Sequence, residues 1–338
     1  MNPVNTPPKA VIIFNPFAGR GKAPETARKA KKHLKKNGWE VCSIVATHYA
    51  GHIETVLAKE WAKKVQLIVL VGGDGTLREL VSGLWLAKLD VDIGFIPMGN
   101  ANVVARELSI PLNTKSAIRL LNTGQTKKVD ICILKQSSQD DMVFLAMLEI
   151  GYGAKVIQFV DQLRNGGLKA LYRLWGDLVY IIAGFLALKG TGKDNFTATI
   201  ATLGKTCNTT NTTTPPSAND IITGPILSSS HCIVANMQTY AKGWSLTPEA
   251  KYNDGLLDIA ISKKNNILTI IKTFLAATQK RKLSAPIMSY FQAEHIAISG
   301  QPSLFVQVDG DPIAFSGQAE VIIEKEAFSI IANSEPTH

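Results

Sequence analysis

Hydrophobic and polar positions alternate in blocks over the first third of the chain. Ala10–Asn15 is a short apolar run that ends in Asn15-Pro16 and a glycine-containing loop. A basic helix follows, then a strand over Trp39–Thr47 and a second helix from about Gly51 to Lys63. Gln66–Val71 is apolar and β-branched and stops abruptly at Gly72-Gly73; a third helix is expected from Leu77 to about Ala87, and a strand over Asp92–Ile96 stops at Pro97. Strands that alternate with helices predict a parallel sheet covered on both faces. Ligands of such sheets bind beyond the carboxyl ends of the strands, where the glycine-rich segments fall.

The pattern changes after Gly124. Strand-like runs dominate at Lys128–Lys135, Met142–Ile150, Phe196–Leu203, Ser228–Met237, Leu256–Ser262, Ala293–Ser299, Ser303–Val308 and Ala319–Ile323. Helical breaks fall near Ala154–Leu163, Leu168–Leu188 and Ile267–Ala277. The expected fold is an α/β domain with a parallel sheet over residues 1–124, then a mostly antiparallel β-rich, sandwich-like domain over 125–338. The last residues are free to pack back on the first domain.

Composition supports two folded domains. The chain has 338 residues, 46% hydrophobic and 19% charged, enough apolar content to bury substantial cores and to argue against disorder. The net charge of +9 suits anionic lipid, nucleic acid or phosphorylated small molecules. Much of it lies in Lys22, Arg28, Lys29, Lys31, Lys32, Lys35 and Lys36 of the first helix, where the plain reading is a solvated face and the sharper one a membrane-facing surface. No aromatic–basic motif supports nucleic acid, so none is expected as a partner.

Cys42, Cys132, Cys207 and Cys232 form no CxxC pair, which points to reduced thiols and a cytoplasmic setting. No signal-peptide pattern opens the chain, so the triplets at Asn195, Asn208 and Asn211 read as chance. Leu178–Leu188 is apolar but shorter than the roughly 20 residues a spanning helix needs, and reads as a buried or an interfacial helix. Gly204–Pro225, rich in Thr, Asn, Ser and Pro, reads as a surface insertion.

The strongest local signal is Gly72-Gly73-Asp74-Gly75-Thr76-Leu77-Arg78-Glu79. Three glycines around one aspartate, between a strand and a helix, let backbone amides approach a phosphate closely. Thr76 and Glu79 also have capping-box spacing, and that role alone accounts for them but not for the glycines. Asn15-Pro16-Phe17-Ala18-Gly19-Arg20-Gly21-Lys22 stands at the equivalent place after the first strand, and Pro97-Met98-Gly99-Asn100-Ala101-Asn102-Val103 forms a third junction. His48 and His52 lie four apart, with no third metal ligand apparent.

In order and type, these junctions resemble the diacylglycerol kinase catalytic-domain family, which includes bacterial lipid kinases and sphingosine and ceramide kinases. The resemblance covers nearly the whole chain. It implies a nucleotide-binding first domain, with ATP and Mg²⁺ as cofactors. Asn15, Pro16, Gly19 and Gly21 look like the family's first phosphate loop. Gly72, Gly73, Asp74, Gly75 and Thr76 match its nucleotide signature, with Leu77, Arg78 and Glu79 following. Thr47 resembles its threonine-containing turn, and Gly99, Asn100 and Asn102 its third nucleotide segment.

Pro248–Asp258 resembles the element that holds an ordered Mg²⁺, through the Asp254 carboxylate and the Lys251 and Leu256 carbonyls. An Asn-Asp-Gly turn opening a strand is the alternative reading there. Asp130 matches a member of the family's aspartate–water–metal network. Asp309-Gly310-Asp311 resembles its late acidic motif, which casts Asp311 as the base for the substrate hydroxyl and Asp74 as its catalytic partner at the phosphates; a simple Asp-Gly hairpin turn competes.

Two positions depart from the family: Asn100 stands for a threonine, and Val103 for an aspartate. The resemblance thus implies an ATP-dependent lipid kinase, peripheral to the inner face of a membrane, with a lipid substrate and a homodimer as candidate partners. A soluble NAD kinase-like enzyme shares Gly-Gly-Asp-Gly-Thr and is the nearest alternative. Val103 and Asp311 motivate a third reading, a nucleotide- or lipid-binding homologue with weakened catalysis.

Overall fold

The fold is that of a computed structural model, which describes residues 7–59, 64–137, 139–165, 196–203, 221–222, 227–229, 231–240, 243–262, 267–284, 287–301 and 304–334. The expected helix at Leu168–Leu188, the triplet asparagines Asn195, Asn208 and Asn211, and nearly all of the Gly204–Pro225 insertion lie outside those residues. The chain divides into two compact units. The first comprises Met1–Ile131, Ala241–Gly243 and Lys325–His338, and the second Cys132–Tyr240 and Trp244–Glu324.

In the first unit, strands and helices alternate as β1 (Lys9–Phe14), α1 (Ala23–Lys36), β2 (Glu40–Ala46), α2 (His52–Leu57), β3 (Leu67–Gly72), α3 (Asp74–Ala87), β4 (Asp92–Pro97), α4 (Val103–Glu107) and α5 (Thr114–Thr123). The strands pair in parallel in the order β2-β1-β3-β4. Every residue of β3 is buried, as expected of a strand covered on both faces. α1 packs with α5 and against β1 and β2, while α2 packs on α3. That second contact depends on Gly83 of α3, where a Cβ would come within 2.8 Å of Leu57.

From β1 the chain turns to one side of the sheet, and from β3 to the other. The carboxyl ends of β1 and β3 are therefore the topological switch point, the usual ligand crevice of an open α/β sheet.

Strand β5 (Gln125–Gln136) passes from the first unit into the second. There follow β6 (Gln139–Phe144), β7 (Met147–Gly151), α6 (Tyr152–Asn165), β8 (Phe196–Leu203), β9 (Ile221–Ile222), β10 (Leu227–Ser229), β11 (His231–Ala235), β12 (Leu257–Ser262), α7 (Ile267–Thr278), β13 (Met288–Ala293), β14 (His295–Ser299), β15 (Val306–Val308), β16 (Asp311–Ile313) and β17 (Gln318–Ala332). Antiparallel pairing gives the order β13-β12-β11-β7-β15-β16 in one sheet, while β10, β8, β14 and the start of β17 form the other.

Leu148, Val234 and Ile259 from the first of these sheets share one core with Ile296, Ile298 and Val321 from the second, which makes the unit a sandwich. The end of β17 returns to the first unit, where Ser329 and Ile330 pair in parallel with Asp92 and Ile93. The fold is thus an α/β domain with a parallel sheet followed by a mostly antiparallel, sandwich-like domain.

Several element bounds differ from those the pattern predicts. α3 begins at Asp74, three residues before Leu77, and α2 ends at Leu57. Met142–Ile150 is two strands, because the chain breaks at Leu145-Ala146, whose amides are taken by a distant carboxylate described below.

Candidate functional site

The three glycine junctions meet within the first unit through their backbones. The Asn15 N–H donates to the Val71 carbonyl at 3.0 Å, the Met98 N–H to Gly72 at 2.7 Å and the Gly19 N–H to Met98 at 3.1 Å. The turn at Thr47 joins them, its N–H donating to Phe14 at 2.9 Å, and Thr47 is buried.

Glycine is required where these backbones touch. A Cβ on Gly99 would lie 2.9 Å from the Gly73 Cα, and one on Gly19 would lie 2.2 Å from the Met98 Cε. Gly19 (φ 58°), Arg20 (57°) and Gly21 (83°) turn the chain through the left-handed region in succession, so the first loop is a tight left-handed turn. Pro16 is half-buried beside it, while Phe17 is 84% exposed.

α3 starts with Gly73 as its N-cap and no side-chain capping bond. Its first intrahelical bond is Leu77 N–H to Gly73 at 3.0 Å, so the amides of Asp74, Gly75 and Thr76 have no acceptor within the helix. A Cβ at Gly75 would meet nothing within 4 Å. Amides without an intrahelical acceptor, the positive end of a 14-residue helix and the open space over Gly75 together suit an anion.

The capping-box expectation for Thr76 and Glu79 fails, because the helix starts three residues earlier. Thr76 instead packs on Gly72, where a Cβ would lie 3.0 Å from it. Glu79 caps the neighbouring helix, accepting from the Ile53 N–H at 2.9 Å. Leu77 is buried, while Arg78 is partly exposed on the same turn.

Asp74 links the second junction to the third, its Oδ1 accepting from the Val104 N–H at 3.4 Å. Asn102, in the left-handed region at φ 48° and 7% exposed, exchanges two 2.9 Å hydrogen bonds with Gly99. Its amide holds the loop in shape, while Asn100 is the exposed amide of this junction. Asp130 is 1% exposed and accepts from the Glu326 N–H at 2.7 Å, where Glu326 takes a positive φ of 51°. The rings of His48 and His52 lie 5.2 Å apart, and no cluster of three potential metal-binding side chains occurs among the described residues.

In the second unit, Gln238, Pro248, Glu249, Ala250, Lys251, Asp254 and Gln292 line an open pocket of about 630 Å³. The Asn-Asp-Gly turn is present, since Asp254 Oδ1 accepts from the Leu256 N–H at 3.0 Å and Gly255 has φ 70°. Next to it Asp258 is buried, and its Oδ2 has no hydrogen-bond partner. Burial, with the nearby Asp254 and Glu249 charges, pushes its carboxyl up to about 7. A buried, under-satisfied acidic group beside oxygen donors fits a hard divalent cation. A cation there would rely on the Asp254 carboxylate, the Lys251 and Leu256 carbonyls, and water.

Asp311 is half-buried and follows a tight turn whose central residues, Asp309 (φ 50°) and Gly310 (91°), are both left-handed, the signature of a two-residue β-hairpin loop. The hairpin reading is therefore correct, and it leaves Asp311 at the first position of β16. Asp309 has a separate task. Its carboxylate accepts from the amides of Leu145, Ala146 and Met147 at 2.9, 2.9 and 3.0 Å, and its own N–H donates to Met147 at 2.9 Å.

Beneath the turn lies a buried polar network. Glu149, 1% exposed, meets His231 Nε2 at 2.6 Å and accepts from Gln307 Nε2 at 2.9 Å and the Tyr240 hydroxyl at 3.1 Å. Gln307 passes the connection on, its Oε1 accepting from the Gly310 N–H at 2.6 Å. Desolvation works to raise the Glu149 carboxyl, but the bonds from His231, Gln307 and Tyr240 outweigh it and hold it below the ordinary carboxylate value. Burial, reinforced by Glu149, pushes Cys232 and Tyr152 up to about 12, so both stay protonated.

Glu149, His231, Tyr240 and Gln307 have no place among the residues singled out from sequence, and Asp309 enters there only as the first residue of the acidic motif. The available signal was a single polar residue inside an apolar, strand-like run, at Glu149 and Gln307; His231 follows three serines and carries no such signal.

Comparison with known proteins agrees with this architecture. Residues 9–134 match the diacylglycerol kinase catalytic domain, and residues 221–331 the YegS C-terminal NAD kinase beta sandwich-like domain. A diacylglycerol kinase of Staphylococcus saprophyticus is 25% identical over 303 residues, spanning 90% of this chain and 88% of that protein. One of Mycobacterium tuberculosis is 24% identical over 310 residues, with the same coverage. The crystal structure of a diacylglycerol kinase from Bacillus anthracis superposes with a TM-score of 0.67 at 20% identity, covering 96% of this chain and 97% of that one, a likeness of fold. On this architecture, the two matched domains mark a family of kinase-type transferases of the lipid kinase class. The chain belongs to the diacylglycerol kinase catalytic-domain family.

Proposed function

We propose that the protein is an ATP-dependent lipid kinase that transfers a γ-phosphoryl group to the hydroxyl of diacylglycerol or a similar lipid alcohol. The observation that carries this reading is the uncapped N-terminus of α3 at the switch point, with open space above Gly75. There the amides of Asp74, Gly75 and Thr76 bind phosphate oxygens, while Gly19 and Gly21 let the first loop close around them. Asn100 and Arg78 add side-chain donors, and Thr47 borders the nucleotide. Asp74 keeps α4 in register through the Val104 amide.

ATP with Mg²⁺ supplies the transferable group and the neutralising charge when bound. Asp311 orients the acceptor hydroxyl and takes its proton as that oxygen bonds to the γ-phosphorus and the bond to the β-phosphate oxygen breaks, releasing ADP. Asp130 and Asp254 are the carboxylates proposed to handle metal. The setting proposed is the cytoplasmic face of a membrane, in phospholipid metabolism.

The test incubates purified protein with labelled ATP, Mg²⁺ and diacylglycerol vesicles. Labelled phosphatidate is expected, and a yield no greater than that of Asp74→Ala refutes the reading. Phosphorylation of NAD without vesicles would favour the soluble alternative. Val103, which puts an aliphatic side chain where the family carries aspartate, keeps one further reading in view: ATP binding by calorimetry with no turnover on any lipid alcohol would mark a binding protein.

A further inference from the structure

Helix α7 in the second unit carries an apolar stripe on its outer face. Among its described side chains, Thr269 (8% exposed), Ala276 (2%) and Ala277 (4%) are buried. Leu268, Ile271 and Leu275 face outward, at 58%, 45% and 49% exposed. At 100° per residue these three share one face, and exposed Lys272 falls among them. Thr273 donates to the Thr269 carbonyl and Thr278 to that of Leu275, so both hydroxyls are satisfied within the helix. The exposed stripe is a surface built for a partner.

The charges around it identify that partner. Between Asp258 and Glu294 the sequence has no acidic residue but six cations, Lys263, Lys264, Lys272, Lys280, Arg281 and Lys282. Lys282 is engaged by Glu249. Lys280 and Arg281 are exposed directly after the helix, where the Arg281 N–H returns to the Ala276 carbonyl and the Lys280 N–H to that of Ala277. That closure caps the helix end and fixes both residues beside the stripe. A second copy of the same face would set cation against cation. A 12-residue helix is also far too short to span a bilayer.

We infer that α7 is an interfacial docking helix, which inserts Leu268, Ile271 and Leu275 into an anionic lipid surface while Lys272, Lys280 and Arg281 meet the headgroups. The inference deepens the proposed function, because it supplies the route by which a lipid kinase reaches a bilayer-borne substrate.

The experiment is co-sedimentation with phosphatidylcholine vesicles, with and without phosphatidylglycerol. It compares wild type, Lys272→Gln and the triple variant Leu268→Gln/Ile271→Gln/Leu275→Gln; all four positions are exposed, and thermal melting checks the fold. Wild type is expected to bind phosphatidylglycerol vesicles in a salt-sensitive way. The triple variant should bind at least about tenfold more weakly, and Lys272→Gln about fivefold more weakly on the anionic vesicles alone. Equal binding by wild type and triple variant, or no binding by wild type, overturns the inference. So does a wild-type dimer that the triple substitution dissociates in sedimentation velocity, which would assign the stripe to self-association.

Turnover of a short-chain, water-soluble diacylglycerol separates the two readings. Vesicle binding lost in the triple variant, with no turnover by any form, sustains docking and sinks the kinase. Turnover with unaltered vesicle binding does the reverse.

Discussion

The glycine junctions of the first unit and the polar network of the second solve opposite problems. At the junctions, function requires side chains to be missing: Gly73 and Gly99 touch backbone to backbone, and the space over Gly75 is kept open. Beneath the Asp311 turn, function requires side chains to be present and fully satisfied. Glu149 receives three side-chain partners, and Asp309 three backbone amides. Where Gly73 and Gly99 touch, the first region tolerates no added volume, and the second region tolerates no lost hydrogen bond. Substitutions that cost little stability in one should therefore be severe in the other.

The sharpest way to break that contrast is Glu149→Ala, which strips His231, Gln307 and Tyr240 of their common acceptor. A loss of roughly 3–5 kcal/mol is expected in urea denaturation, as for other buried charges whose partner is removed. A loss under about 1 kcal/mol would mean the network is ornamental. Because its carboxyl is held below its ordinary value, its ionised form stabilises the fold above that value and ceases to do so as pH falls through the lowered one. The stability gap between wild type and Glu149→Gln should hold steady near neutrality and shrink in acid below about pH 4.5.

Asp309→Ala comes next, at about 2–4 kcal/mol, since it orphans the amides of Leu145, Ala146 and Met147 and puts alanine at a positive φ. Hydrogen exchange should rise at those three amides first. Gly99→Ala should cost about 1–3 kcal/mol by forcing apart two touching backbones. The smallest stability effect belongs to Gly75→Ala, within about 0.5 kcal/mol of wild type and in either direction. Its ATP affinity, read by calorimetry, should nonetheless fall at least about tenfold. Unchanged affinity would move the phosphates away from α3.

These differences also explain what could be read in advance. Gly72–Thr76 and the Asn15–Gly21 loop were legible as junctions because their geometry is local: a strand end, a turn and a helix start lie within a few residues. The alternation of β1 to β4 with their helices was legible for the same reason, through the period of apolar positions. The Asp309 clamp was not, because its partners lie 162–164 residues away and nothing near Asp309 announces them. Glu149 and Gln307 each looked like a blemish in an apolar strand and His231 like the end of a polar serine run, and only the pairing of β7 with β11 and β15 makes them neighbours. Asn102 was legible as important, but its two bonds to Gly99 give it a scaffolding part in the third junction.

The return of β17 to pair Ser329 and Ile330 with Asp92 and Ile93 has a consequence for biogenesis. During translation β4 leaves the ribosome more than two hundred residues before the strand that covers its outer edge. Until then that edge is an unpaired template for another chain. Nascent chains stalled or truncated before residue 325 should thus be the species that chaperones hold and that aggregates collect, however well the sandwich has already formed.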